Sequence, residues 1–368
     1  MAQRIVVVGA GYAGLSAAKQ AARWTDAEVT LVNERDHFVE RVRLHQLASG
    51  QDLKGHPLAE LLRGTGVRLV VDRVVGVDPE ERKVRLEGGA LAYDRLVYAL
   101  GSRADLDRVP GAREHAFTVA SWDQAVALRA RLASASRVVV TGGGLTGIEA
   151  ATEIAESHPG VRVVLVTGGE VGPGLSVKGR AYLRRVFAGL SIEVREHVRV
   201  TGVRADGVEL GDEVVPADAV VWTAGFTVPD LAREAGFAVD GHGRLVVDEH
   251  LRSVSHPEVV GLGDAAALRR RDGQELRMAC ATALPTAQRA MKALAATVAG
   301  TTEPRAHRFG YVSQCVSLGR RDALIQFVRP DDSPRELILT GRAAARVKEA
   351  IVKATVFFQR HPTIPGGA

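Results

Sequence analysis

Six glycines in this chain are spaced to hold phosphates. Gly9, Gly11 and Gly14 stand in IVVVGAGYAGLSAA (5–18), and Gly142, Gly144 and Gly147 stand in VVVTGGGLTGIEAA (138–151). In both stretches an apolar run precedes the glycines and an alanine-rich run follows, which reads as a strand, a tight loop and a helix. The first glycine permits the turn, the second lets the backbone approach a diphosphate, and the third lets the helix pack closely on the strand. The helix start then offers unpaired N–H groups and a partial positive charge to the phosphates. Tyr12, Ala13 and Thr146 belong to the same expected cradles. Two such stretches predict two dinucleotides, one that stays bound and one that exchanges.

The elements around the loops repeat as well. In the first half the pattern predicts a strand at 4–8, a helix at 12–23, a strand at 28–32, and several short strands over 67–100 ending in LVYAL before Gly101. Val109, Pro110 and Gly111 read as a hinge, followed by a helix at 123–133. The plan then restarts with a strand at 137–140, a helix at 145–157, a strand at 161–166, a helix near 178–189 and VVWTAGF at 220–226. Each half runs from a glycine loop to an apolar strand, ending in Ala-Leu-Gly at Gly101 and in Thr-Ala-Gly at Gly225. A repeat of such long period implies two similar domains rather than a solenoid. Beyond residue 245, VVGLGDAA (259–266) is an apolar strand stopping at an Asp. ATALPTAQRAMKALAATVAG reads as a helix with a proline at its mouth, 309–328 as a β-hairpin turning at Gly319 to Asp322, and 341–359 as a final helix. The expected class is α/β: two Rossmann-like dinucleotide-binding domains, the second inserted in the first, plus a small C-terminal α+β region. The expected divisions are 1–112, 113–240, 241–300 and 301–368.

IVVVGAGYAGLSAA, LVYALGS, VVVTGGGLTGIEAATE, VVWTAGF and VVGLGDAA occur in that order. With them essentially the whole chain resembles the two-dinucleotide-binding flavoproteins, and within these the type II NADH dehydrogenase and apoptosis-inducing-factor-like branch. The resemblance implies FAD on the first loop and NADH or NADPH on the second. Hydride would pass from the nicotinamide through the flavin to a quinone or another small electron acceptor. It further implies that Asp264, after Gly263, bonds the ribityl chain of FAD and that Glu149 lies near the nicotinamide and flavin rings. The stretch with Ala283, Leu284, Pro285, Thr286 and Gln288 would lie beside the isoalloxazine and the acceptor, making Gln288 a second catalytic candidate. Val74, Ala99, Gly101 and Gly225 complete the expected contacts. By their residue types alone, Asp264 is a carboxylate at a sheet's carboxyl edge or a helix cap, Glu149 is an acid near a helix start, and 285–288 is a capped helix.

The sequence departs from the pattern in places. Asn33 stands where an acid usually grips the adenosine ribose, with Glu34 next, and either can accept from a ribose hydroxyl. In the second half Thr167 takes that place, two glycines follow, and Glu170 comes late. A carboxylate there would favour NADH and a nearby Arg NADPH, so the preference stays open, as does a vestigial second site. The dense run FVERVRLHQ (38–46) offers Arg43 and His45 to pyrophosphate or flavin, or is a solvated helix start. Cys280 and Cys315 are the only cysteines, and no pair follows the first glycine loop. A disulfide-reductase role is thereby excluded, and buried, inert thiols are expected.

Composition sets the outer bounds. The chain has 368 residues, 46% hydrophobic and 25% charged, with a net charge of +5. This is globular composition, with basic residues scattered among acids rather than clustered with aromatics, so nucleic acid is not an expected partner. No metal site is expected. The apolar start reads as a strand and glycine loop rather than a leader peptide, and a cytoplasmic setting fits the cysteine count. In the final helix Val347, Ile351, Ala354 and Phe358 share one face and Arg342, Arg346, Lys353 and Arg360 the opposite side. Such a basic amphipathic helix rests on the inner face of a membrane, where the acceptor would be lipid-dissolved, or packs on its own domain or on a second copy in a homodimer. Two other functions fit the same motifs: a flavoprotein oxidising a small organic substrate, and a redox sensor acting through a partner.

Overall fold

The computed structural model describes residues 2–270, 272–304 and 309–364. Its frame is a pair of five-stranded sheets, each wholly parallel. The first runs Val259–Gly261, Arg95–Tyr98, Arg4–Val8, Glu28–Asn33, Arg68–Val71. The second runs Ala116–Phe117, Ala219–Trp222, Arg137–Thr141, Arg162–Val166, Glu193–Arg195. In each, the strand that precedes a glycine loop is central, and the strand that ends in a further glycine lies beside it. Between its last two sequential strands each half also carries a three-stranded antiparallel sheet, 74–92 in the first and 202–216 in the second. The halves differ at one edge. The outer strand of the first sheet, 259–261, comes after every strand of the second sheet.

The strands are continuous apolar runs because both their faces are covered. Ile5 and Val7 pack under the helices Tyr12–Trp24 and Cys280–Ala299, while Val6 and Val8 face the antiparallel sheet and Phe237. Val138 and Val140 pack under the helices Trp122–Leu132 and Leu145–Ser157, and Val139 faces Val208 and Val215. The registers match: Gly9 N–H donates to Val32 O at 2.8 Å, and Gly142 N–H to Val166 O at 2.8 Å.

The structure corrects three sequence expectations. The 109–111 segment is no free hinge: Val203 N–H donates to Pro110 O at 2.9 Å, and Gly111, at φ +74°, lies so close that a Cβ there would stand 2.0 Å from Val203 O. Pro285 is not at a helix mouth, because the helix begins at Cys280. Having no N–H, Pro285 leaves the Ala281 carbonyl without its helical donor. The hairpin Ser313–Ser317 with Ala323–Val328 gains a third antiparallel strand, Pro334–Thr340. For the final helix, Gly341–Arg360, the readings left open by the sequence differ in where the apolar stripe lies. Its buried residues are Ala344, Val352, Thr355 and Gln359, whereas Val347 and Ile351 are each 41% exposed. At 3.6 residues per turn that inward face is rotated by roughly a quarter turn from the apolar stripe. Lys348 sits on it.

Two glycines fix how the helices meet the sheets. A Cβ on Gly14 would lie 1.9 Å from Gly9 O, and one on Gly147 would lie 1.9 Å from Gly142 O. Gly14→Ala and Gly147→Ala are each expected to cost more than the ~1–3 kcal/mol usual for overpacking, since the obstacle is backbone. Gly189, at the end of the helix Val177–Gly189, has open space around it. Gly189→Ala should be neutral or stabilising by up to ~1 kcal/mol. Denaturant titration of the three variants checks this.

Candidate functional site

At each loop the first and third glycines are consumed by the fold. Gly9 has φ +95° and a Cβ there would stand 2.4 Å from Ala99 O; Gly142 has φ +110° and a Cβ there would stand 2.8 Å from Thr223 Oγ1. The middle glycines behave differently: nothing lies within 4 Å of a Cβ on Gly11 or Gly144. Both helices start there without a side-chain cap and without an acid in the first turn. Each loop is thus a concave run of backbone with free N–H groups, which fits a diphosphate. FAD on the first cradle and NAD(P)H on the second are compatible with this donor set.

The groups near the first cradle divide into those that shape it and those left for a ligand. Asn33 shapes it: Oδ1 accepts from Ala10 N–H at 2.8 Å and Nδ2 donates to Arg35 O at 2.9 Å. Glu34 is half-exposed, with Arg73 at 3.7 Å and Arg35 at 3.9 Å. The Tyr12 ring stands edge-on to Phe38 at 5.1 Å. Ala13 and Ala283 are buried in the core beneath the loop, Ala99 lies directly under Gly9 and Gly14, and Val74 sits partly buried at the start of its antiparallel strand. Gly101 has φ +69° with open space around it. After Gly263, at φ +63°, Asp264 Oδ2 accepts from Ser102 Oγ at 2.6 Å and lies 3.7 Å from Arg41 Nη1. Arg41 also donates to Ser102 O at 2.8 Å and stacks over Phe226 at 5.1 Å. Sequence reasoning missed Arg41 and Ser102. It chose Arg43, whose guanidinium is engaged by Glu40 at 3.1 Å and Glu349 at 2.8 Å.

At the second cradle Thr146 is in the first helical turn and Gly225 has φ +102° beside Asp105. Thr167 is buried, its hydroxyl turned against Gly143, and Glu170 is paired with Arg180 at 2.9 Å.

Between the cradles lies a buried charge cluster that the sequence showed only in part. Glu149 meets Lys348 of the final helix at 2.9 Å and accepts from Ser317 N–H at 3.1 Å. Lys348 also donates to Cys315 O at 2.9 Å. Burial by itself pushes Glu149 up, but Lys348, His45 and the Ser317 N–H outweigh it and hold the carboxyl below its ordinary range. His45 Nδ1 stands 4.0 Å from Glu149, while its Nε2 is buried without a partner. Burial pushes His45 down to about 4 against the pull of Glu149. One helical turn on, Glu153 is fully buried, hydrogen-bonded by Gln51 and paired with Arg320 at 3.0 Å, and burial pushes it up to about 7.

A cavity of about 350 Å³ opens beside this cluster, lined by Cys280, Leu284, Pro285, Gln288, Ile351 and Phe358, among others, and mostly apolar. Gln288 Nε2 donates to Ile364 O at 3.4 Å, and Thr286 Oγ1 to Thr282 O at 2.7 Å. Cys280 and Cys315 are free thiols whose burial pushes both up. Among the described residues no group of three or more His, Cys, Asp or Glu could hold a metal ion.

A family profile described as pyridine nucleotide-disulphide oxidoreductase matches residues 3–294. An NADH dehydrogenase-like protein of Mycobacterium tuberculosis is 34% identical over 304 residues, 75% of this chain and 76% of that one. A demethylphylloquinone reductase of Synechocystis is 28% identical over 297 residues, 74% of each chain. The fold is that of NDH2 from Plasmodium falciparum in complex with NADH, at a TM-score of 0.80 and 14% identity, covering 99% of this chain and 98% of that one.

Two outcomes are expected from the buried cluster. Lys348→Met leaves Glu149 buried without its cation and should destabilise the protein by ~3–5 kcal/mol, most of which Glu149→Gln in the same chain restores. A double-mutant denaturation cycle checks this. His45 stays neutral when folded, because its folded value is depressed from 6.5 to about 4. Its contribution is therefore complete above pH 6.5 and lost as pH falls toward 4, by about 3 kcal/mol at ~1.4 kcal/mol per pH unit. Glu149, also depressed, loses its contribution in the same direction at lower pH. In His45→Gln the slope of stability between pH 6.5 and 4 should flatten.

Proposed function

The chain belongs to the pyridine nucleotide-disulphide oxidoreductase family, and we propose that the electron acceptor of this FAD-containing NAD(P)H dehydrogenase is a quinone taken up in the cavity at residues 280–288. That cavity carries the proposal: it is mostly apolar, large enough for a substituted ring, and walled by the helix that also packs on the first glycine helix. Two relatives named for quinone-type acceptors support it, the demethylphylloquinone reductase of Synechocystis and an alternative NAD(P)H-ubiquinone oxidoreductase of Arabidopsis thaliana. The balanced reaction is NAD(P)H plus a proton plus quinone giving NAD(P)⁺ plus quinol.

Bound FAD would supply the two-electron relay, taking hydride from the nicotinamide and passing the electron pair on. The chain's own residues bind and orient. The 9–14 loop would hold the FAD diphosphate, with Asp264, Ser102 and Arg41 on the ribityl side and Glu34 at the ribose. The 142–147 loop would hold the nicotinamide dinucleotide. Glu149, kept charged by Lys348, closes the space between the cradles with the final helix and shields it from water. Leu284 and Gln288 would face the acceptor. The functional divisions on this reading are 1–112 with 241–300 for FAD, 113–240 for the nicotinamide dinucleotide, and 301–368 as the wall of the acceptor site.

The same helix suggests how a lipid-dissolved acceptor enters. Val347, Ile351, Phe357 and Ile364 are exposed near the cavity, with Arg342, Arg346 and Lys353 also exposed. Among the described residues no helix is long and apolar enough to cross a membrane. A peripheral contact with an anionic bilayer is the mode this surface supports.

Filling the cavity separates the two half-reactions. Leu284→Trp or Ala354→Trp should raise the KM for a short-chain quinone about tenfold or more, equivalent to ~1.4 kcal/mol of lost binding. Anaerobic bleaching of the flavin by NAD(P)H should be unchanged. Stopped-flow measurement of each half-reaction checks this; unaltered reoxidation by quinone in both variants would place the acceptor elsewhere.

A further inference from the structure

We infer that the second cradle prefers NADPH to NADH, and that Arg199 carries the discrimination by meeting the 2′-phosphate. This rests on the reading that residues 142–147 hold a nicotinamide dinucleotide. The side chain that follows the second strand of such a unit faces the adenosine ribose. An acid there bonds the 2′-hydroxyl and repels a 2′-phosphate. Here that strand is Arg162–Val166 and the next residue is Thr167, neutral and able to donate a hydrogen bond.

The neighbouring carboxylates are committed elsewhere. Glu170 pairs with Arg180 at 2.9 Å. Glu196 accepts from Val171 N–H at 2.7 Å and faces Arg184 at 3.6 Å. Arg195 is held between Glu193 at 2.9 Å and Glu213 at 2.6 Å. Charges on this rim are therefore matched, with one exception.

Arg199 is that exception. It is exposed, and among the described residues it makes no ion pair or side-chain hydrogen bond. It is not adrift, however. The backbone around it is tied to the strand end: Thr167 N–H donates to Arg195 O at 2.9 Å, Val198 N–H to Thr167 O at 3.0 Å, and His197 N–H to Gly169 O at 3.2 Å. Its stem lies along Gly168, where an added Cβ would stand 3.4 Å from Arg199 Cγ. Gly169 has nothing within 4 Å of an added Cβ. The result is a small open step of two glycines, flanked by the stem of an arginine whose guanidinium is unpaired among the described residues, with the neighbouring carboxylates engaged elsewhere. A guanidinium fork with no competing acid suits a phosphate dianion and gains nothing from a hydroxyl.

The test is calorimetric and needs no turnover. The flavin-loaded protein is titrated with adenosine 2′,5′-bisphosphate and with adenosine 5′-monophosphate, which differ only at the 2′ position. The bisphosphate should bind about tenfold or more tightly. Arg199→Ala should erase most of that advantage and leave the monophosphate unchanged, and Thr167→Asp should reverse it. Anaerobic bleaching by NADPH and by NADH should follow the same ratio. Equal or tighter binding of the monophosphate, or a preference that survives Arg199→Ala, would overturn the inference while leaving the dehydrogenase reading intact. Binding of neither nucleotide, with no bleaching by either coenzyme, would overturn both.

Discussion

Both cradles depend on a contact that only a missing Cβ allows. Gly14 rests on the carbonyl of Gly9 and Gly147 on the carbonyl of Gly142, each with room for a hydrogen and none for a methyl. These contacts bring the start of a helix against the end of a central strand. The middle glycine is thereby left at the rim with its backbone open, and the first-turn N–H groups point outward. A side chain at either packing glycine would push the helix off the sheet, and the phosphate cradle would go with it. That the same contact occurs twice, at the same distance and the same step of two equivalent sheets, is the physical meaning of the internal repeat.

The two halves are joined by apolar packing, in which Leu44, Leu47 and Ala48 of the first enter the core of the second, and by ionic contacts of the final helix. The final helix turns toward the core a face holding Lys348, Thr355 and Gln359. Lys348 ties it to Glu149 beside the second cradle. Glu349, one residue on, meets Arg43 from the segment after the first unit's second strand. At the far end of the helix Lys19 donates to the carbonyls of Gln359 and Arg360 at 2.7 and 3.1 Å, and Gln359 Nε2 donates to Tyr12 O at 2.8 Å. The C-terminal segment is thus fastened to both glycine helices and forms one wall of the cavity. Buried pairs of this kind contribute little net stability but are costly to break singly.

Much of this was legible in the sequence, and the parts that were not share a cause. The glycine spacing, the apolar runs and their order sufficed for the parallel strands and the inserted second unit, because fully covered strands and tight loops leave strong local marks. The orientation of the final helix did not follow from its pattern. Hydrophobic periodicity marked Val347, Ile351, Ala354 and Phe358 as one face without saying what it meets, and the inward face carries Lys348 and Gln359, whose partners no local window contains. Those apolar residues lie instead in or beside the cavity wall. Arg41 was overlooked in favour of Arg43 for a similar reason: in FVERVR the two are equivalent until Glu349, 306 residues beyond Arg43, claims one of them. The strand Pro334–Thr340 was missed because it lies at one side of its sheet, with residues 335–337 exposed and no alternating apolar signal.

The account stands on two dinucleotides bound at the same time to one chain. Native mass spectrometry of the purified yellow protein, with saturating oxidised nicotinamide dinucleotide added, tests this most directly. The expected mass is that of one chain carrying one FAD and one NADP⁺ or NAD⁺ together. A chain that holds no flavin, or one from which the added dinucleotide drives the flavin out, would contradict it.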